Sequence, residues 1–326
     1  MTSHSSDRSA MPIAARLRRD GQSIAFAVAG NDDAPAVVVL HGGPGSGSAF
    51  GILSLFDPAQ LRVVFVDQRG AGASSPRGGL RRNRTDRLVD DLDAIRRTLG
   101  IERWGVVGGS WGAALAVAYA GTHPASVDGV VLRGLFLTSR REVRSLFVTS
   151  RTKAPREWQR LCAAAGCARP GALLRCCARR LRPGVGKARQ RAVALAWRAY
   201  EDAILASARP GRSRAAGSRD ANHPKAVAAL IDKYRVQAHY LLHDCWLGER
   251  RVLALARAAS IVGVPIFAVH GRRDPVCPVR NVDRLAHVAP PARIERVDAG
   301  HLAGDPALAR GVARAIHAMF VDARAA

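Results

Sequence analysis

The chain alternates between short apolar runs and longer stretches with helical spacing. Ala36 to Leu40, Arg62 to Val66, Trp104 to Val107, Gly129 to Gly134 and Val264 to Val269 are continuous or nearly continuous apolar segments. Runs of this kind predict strands covered on both faces. Ser23 to Ala29 alternates and predicts a further strand, and Arg293 to Val297 predicts the last. Between them, Asp86 to Leu99 places Leu88, Leu92, Ile95 and Leu99 at helical spacing and stops at Gly100. Ala113 to Ala120 and Ala307 to Phe320 predict two more helices. Strands alternating with helices predict a mostly parallel sheet with helices on both faces.

The pattern breaks between Thr138 and Ala256. Apolar runs become short, arginine dominates, and aromatic residues recur at helical spacings. This predicts a mostly helical insertion over 138–256, with Arg209 to Asn222 as a mobile loop rich in Arg, Gly, Ser and Pro. The core then comprises 21–137 and 257–326. Residues 1–20 are mostly polar and are expected to form a disordered tail.

The formal net charge is +24, and only four of the 50 basic residues are lysines (Lys153, Lys187, Lys225, Lys233). The insertion alone carries 25 basic against 8 acidic residues, or +17 of the total. No nucleic-acid motif or aromatic-interleaved basic run accompanies this excess, so it is read as compositional bias, with no nucleic-acid partner. No apolar run reaches membrane-spanning length, which argues against a membrane partner. The N-terminal segment has no apolar core of a secretory signal. Six cysteines (Cys162, Cys167, Cys176, Cys177, Cys245, Cys277) lack zinc spacing and fit reduced thiols of a cytoplasmic protein. A pairing of Cys162 or Cys167 with Cys176 or Cys177 stays open. No cofactor or metal motif is present, and none is expected.

The chemistry centres on Gly108-Gly109-Ser110-Trp111-Gly112, a G-x-S-x-G stretch between a predicted strand and a predicted helix. That context lifts a serine hydroxyl above the sheet edge and aims backbone N–H groups at it. A serine hydroxyl needs a base, and the base needs an orienting carboxylate. Asp274 follows the strand ending at Val269, and His301 follows the strand ending at Val297, in the required chain order. His41 precedes the serine, His270 precedes the acid, and His287 and His317 fall in predicted helices. The triad is therefore assigned to Ser110, Asp274 and His301. The oxyanion hole is expected from the N–H of Trp111 and from the glycine loop after His41, at Gly43.

His41-Gly42-Gly43-Pro44-Gly45, Asp67-Gln68-Arg69-Gly70, Gly108-Gly109-Ser110-Trp111-Gly112 and Leu132-Arg133-Gly134-Leu135-Phe136 together resemble the proline iminopeptidases. Phe56-Asp57-Pro58, His270-Gly271-Arg272-Arg273-Asp274 with Cys277-Pro278, and Gly300-His301 extend the resemblance over nearly the whole chain after Gly21. It implies an α/β-hydrolase fold with a helical cap. It further implies a metal-independent serine aminopeptidase that releases N-terminal proline from small peptides through an acyl-enzyme.

The insertion follows the family less closely. Trp197-Arg198-Ala199-Tyr200-Glu201 is similar to a cap motif whose glutamate binds the substrate's free amino group, which implies that role for Glu201. Val236-Gln237-Ala238-His239-Tyr240 resembles a second motif that usually offers a glutamate where Gln237 stands. Phe136 and Phe147 remain as pocket walls for the proline ring. With a basic cap and one carboxylate missing, weaker amine recognition is expected. An esterase or amidase acting on a neutral or acidic acyl substrate is the alternative.

Overall fold

The computed structural model describes residues 13–208 and 223–322. Its sheet has eight strands: β1 (Ile13–Arg19), β2 (Gln22–Gly30), β3 (Ala36–Leu40), β4 (Arg62–Val66), β5 (Trp104–Gly109), β6 (Val127–Arg133), β7 (Ile266–Gly271) and β8 (Arg293–Val297). The spatial order is β1-β2-β4-β3-β5-β6-β7-β8. The pairs β1–β2 and β2–β4 are antiparallel, and every later pair is parallel. The apolar runs are central strands for the expected reason. Val37, Val38, Val63, Val64, Val106, Val130 and Val131 are sealed from solvent on both faces.

The helices are α1 (Thr85–Thr98), α2 (Trp111–Thr122), α3 (Arg140–Phe147), α4 (Pro155–Ala165), α5 (Leu173–Arg180), α6 (Lys187–Ala206), α7 (Pro224–Leu242), α8 (Gly248–Ile261), α9 (Arg280–Val288) and α10 (Pro306–Phe320). Helix α2 is apolar around its whole circumference and lies on the sheet with α1 and α8 packed against it. Helix α10 covers the opposite face with Leu308, Val312, Ile316 and Phe320. Helices α3 to α7 form the cap, inserted between β6 and α8.

Two boundaries differ from the expectation. Residues 13–19 are strand β1, not part of a tail. Its apolar alternation is short, only Ile13, Ala15 and Leu17 among three arginines at a sheet edge, so the signal is weak. Asp20 and Gly21 make its turn, with φ of 55° and 73°, the conformation of a two-residue hairpin. The cap also ends earlier than residue 256. Helix α8 packs lengthwise on α2, and the backbone carbonyl of Leu255 comes so near Gly121 that a Cβ there would sit 2.5 Å from it. Helix α8 therefore belongs to the core. The loop expected over 209–222 lies outside the described residues. All six cysteines are free, including those for which a pairing stayed open.

A buried ion pair fastens the hairpin to the core. Arg69 Nε and Nη2 donate to Asp91 of α1 at 2.6 and 2.7 Å. Arg69 Nη2 also reaches Asp20 at 3.1 Å, and its Nη1 donates to the Arg82 carbonyl at 2.8 Å. Removing one partner leaves a buried charge without compensation. Asp91→Ala is expected to lower the unfolding free energy by about 3–5 kcal/mol, read from urea unfolding.

Candidate active site

Ser110 sits at the turn between β5 and α2 with φ 58° and ψ −119°. A non-glycine residue at positive φ is strained, and the surroundings must impose it. Here the chain folds back so sharply that a Cβ on Gly108 would lie 2.2 Å from the Gly112 carbonyl. A Cβ on Gly112 would lie 2.1 Å from the Leu40 carbonyl at the end of β3. Only glycine fits at either flank. The Ser110 N–H is held by the Arg133 carbonyl at 2.8 Å, so β6 fixes the turn from the other side.

Asp274 and His301, the acid and base expected from chain order, are in direct contact. His301 Nδ1 donates to Asp274 Oδ2 at 2.6 Å. The other carboxylate oxygen accepts the N–H groups of Val276 and Cys277 at 2.9 and 2.8 Å. Burial alone would push the Asp274 carboxyl up, but the His301 imidazole and its hydrogen bond outweigh burial and hold it below the ordinary value. A second histidine, His270, lies beneath the acid, its Nε2 donating to the Cys277 carbonyl at 2.9 Å. Burial pushes its pKa down, so it stays neutral. Arg133 Nη1 donates to the His301 carbonyl at 2.6 Å, tying β6 to the loop that carries His301.

One amide links the three glycine-rich motifs. Gln68 Nε2 donates to the His41 carbonyl at 2.9 Å, and its Oε1 accepts from Trp111 Nε1 at 2.8 Å. The Gln68 N–H donates to His41 Nε2 at 3.1 Å, which leaves the His41 proton on Nδ1, facing the Gly42 carbonyl at 2.9 Å. Burial lowers the His41 pKa and keeps the ring neutral, as that pattern requires. The glycine loop is thereby held against Ser110: a Cβ on Gly42 would meet Ser110 Cβ at 3.4 Å. Gly43 borders the same space with φ 115°, and Trp111 is the first residue of α2.

Ser110, His301, Gly43, Phe136, Glu201 and Gln237 all line one cavity of about 730 Å³ between core and cap. Phe147 does not. It is buried in the cap with its ring edge on Trp197 at 5.1 Å, and its neighbour Leu146 faces the cavity instead. Adjacent helical residues point about 100° apart, so only one of the two can face inward. Glu201 is reached by more partners than its motif suggests, among them Lys233, a residue the sequence reading did not single out. Lys233 stands four positions before Gln237 on α7, the spacing that puts both on one face. That spacing was the only available signal.

The α/β-hydrolase-fold family matches residues 35–306. A proline iminopeptidase of Xylella fastidiosa is 36% identical over 291 residues, covering 88% of this chain and 90% of the relative. One from Neisseria gonorrhoeae is 34% identical over 294 residues, covering 88% and 89%. The chain belongs to the proline iminopeptidase family of α/β hydrolases. Solved structures agree on the fold. An esterase from Rhodococcus superposes with a TM-score of 0.58 at 18% identity, covering 94% of this chain and 98% of that one. A meta-cleavage product hydrolase from Pseudomonas fluorescens superposes with a TM-score of 0.54 at 20% identity, covering 95% and 98%. In this member of the family, Gln68 and Arg69 of Asp67-Gln68-Arg69-Gly70 both make structural contacts.

Asp274→Asn is expected to lower kcat roughly 10⁴-fold, because His301 loses the acceptor that fixes its tautomer. The same variant tests linkage. A carboxyl with a depressed folded pKa contributes stability above its unfolded value and loses it as pH falls through the folded value. The variant should therefore cost more stability at about pH 7 than at about pH 3, read from unfolding midpoints. Gln68→Ala should lower kcat by about 10²-fold with little change in KM, since it loosens the loop that carries one oxyanion donor.

Proposed function

We propose that this protein is a serine aminopeptidase that releases N-terminal proline from small peptides through an acyl-enzyme on Ser110. The observation that carries this reading is the 2.6 Å His301–Asp274 hydrogen bond beside a nucleophile turn, in a cavity that also holds Glu201 and Phe136. His301 takes the Ser110 proton as Oγ attacks the prolyl carbonyl. The N–H groups of Gly43 and Trp111 stabilise the oxyanion. His301 then protonates the leaving nitrogen, and water deacylates the serine by the same proton route. Phe136 faces the pyrrolidine ring, and Glu201 with Gln237 faces its nitrogen.

The partners proposed are small peptide or acyl substrates, with no nucleic acid and no membrane involved. Among the described residues no helix is long and apolar enough to cross a membrane. A cytoplasmic setting is proposed, and the free state of all six cysteines supports it. A second reading, an esterase or amidase for uncharged acyl groups, is favoured by one observation, the contact of Lys233 with Glu201.

Purified protein is expected to hydrolyse a prolyl arylamide, and Ser110→Ala to lower kcat by roughly 10⁶-fold. Retained turnover in that variant, measured as arylamine release, would remove Ser110 from the mechanism.

A further inference from the structure

Glu201 has no free acceptor site. Its Oε1 accepts from Gln237 Nε2 at 2.7 Å and from Trp197 Nε1 at 3.1 Å. Its Oε2 accepts from Tyr234 Oη at 2.9 Å and from Lys233 Nζ at 3.1 Å. A carboxylate offers about four lone-pair sites, and four donors fill them. Tyr234 is fully buried, stacked on Trp197 at 4.8 Å, so neither ring can leave. Lys233 is the movable donor, and it carries the charge that a substrate ammonium would bring. The cation position on Glu201 is thus already taken by the protein's own ammonium.

A second observation concerns the neighbouring amide. Gln237 must turn its NH₂ toward Glu201, because a carboxylate only accepts. Its carbonyl oxygen is therefore directed elsewhere, and it is buried without a hydrogen-bond partner. A buried unpaired acceptor is costly and fits a ligand donor. Gln237 is 6% exposed and lines the cavity with Lys233. The nitrogen site of the cavity so borders one unfilled acceptor, which the Gln237 side chain must turn to bring forward, and one ammonium lining the same space. Its complement is an uncharged N–H next to a carbonyl, the edge of a lactam.

We propose that the same site hydrolyses a second class of substrate, amides whose N-terminal ring nitrogen is an uncharged lactam N–H as in 5-oxoproline, and that Lys233 sets the balance between this class and N-terminal proline. The lactam N–H donates to Gln237 Oε1, and the lactam carbonyl accepts from Lys233 Nζ. A protonated proline nitrogen must instead displace Lys233 from Glu201 or lie beside a like charge. The covalent steps are unchanged. Ser110 Oγ bonds to the acyl carbon as the C–N bond breaks, His301 delivers the proton to the leaving amine, and water releases free 5-oxoproline. The inference rests on the serine hydrolase reading above.

The test measures kcat and KM on prolyl and 5-oxoprolyl arylamides for wild type, Lys233→Met and Lys233→Arg, with thermal unfolding to confirm folded protein. Wild type is expected to cleave the 5-oxoprolyl substrate with kcat/KM within about tenfold of the prolyl one. Lys233→Met should shift the ratio toward proline by about tenfold, through opposite changes in the two KM values. Lys233→Arg should keep the wild-type preference. Wild type that cleaves the prolyl substrate alone would overturn the inference and leave the aminopeptidase standing. An unchanged ratio in Lys233→Met would remove Lys233 from specificity. If neither substrate is cleaved the inference falls, and labelling of Ser110 by a fluorophosphonate then decides whether the hydrolase reading falls with it.

Discussion

The backbone reversal at Ser110 is the constraint to which the rest of the molecule conforms. A strand that turns into a helix within one residue brings α2 down onto β5 and β3, closer than any side chain permits. Gly108 and Gly112 are consequences of that closeness. So is the strain at Ser110, which β6 holds in place through the Arg133 carbonyl. Having raised the hydroxyl, the fold must bring the other groups to it from loops far apart in the chain. Gln68 does this for the glycine loop after His41, and Arg133 does it for the loop carrying His301. Both act through backbone carbonyls, so they fix the positions of loops and not of single side chains.

Much of the core was legible because its strands are covered on both faces. Continuous valine runs leave little choice of element, and the glycine loops that end them mark the edge where the chemistry sits. The meeting of Asp274 with His301 was legible from chain order and strand position, since each follows a strand. Strand β1 was not, because its apolar alternation is confined to Ile13, Ala15 and Leu17 among three arginines. Its Asp20-Gly21 turn was the signal available. The start of α8 was also missed, because an arginine-rich core helix resembles the arginine-rich cap before it.

The cap shows where pattern reading stops. Phe147 and Leu146 are neighbours, and nothing in the sequence says which turns inward. Lys233 is one cation among the many of a strongly basic insertion, and only the packing of α6 against α7 sets it on Glu201. The proposed catalytic residues sit on turns and loops that directly follow strands of the sheet. The residues proposed to set selectivity sit on helices whose mutual placement the local sequence does not encode.

The uneven use of lysine has a practical consequence. Lys153, Lys187 and Lys225 are exposed, Lys233 faces the cavity, and all four lie in the cap. A surface coupled through lysine amines would therefore grip the enzyme by its cap alone and restrain that layer while leaving the sheet and its helices untouched. A protease that cuts only after lysine would likewise nick the cap and spare the core. The same protein can thus be anchored, or dissected, at the boundary between catalysis and selectivity without engineering a handle.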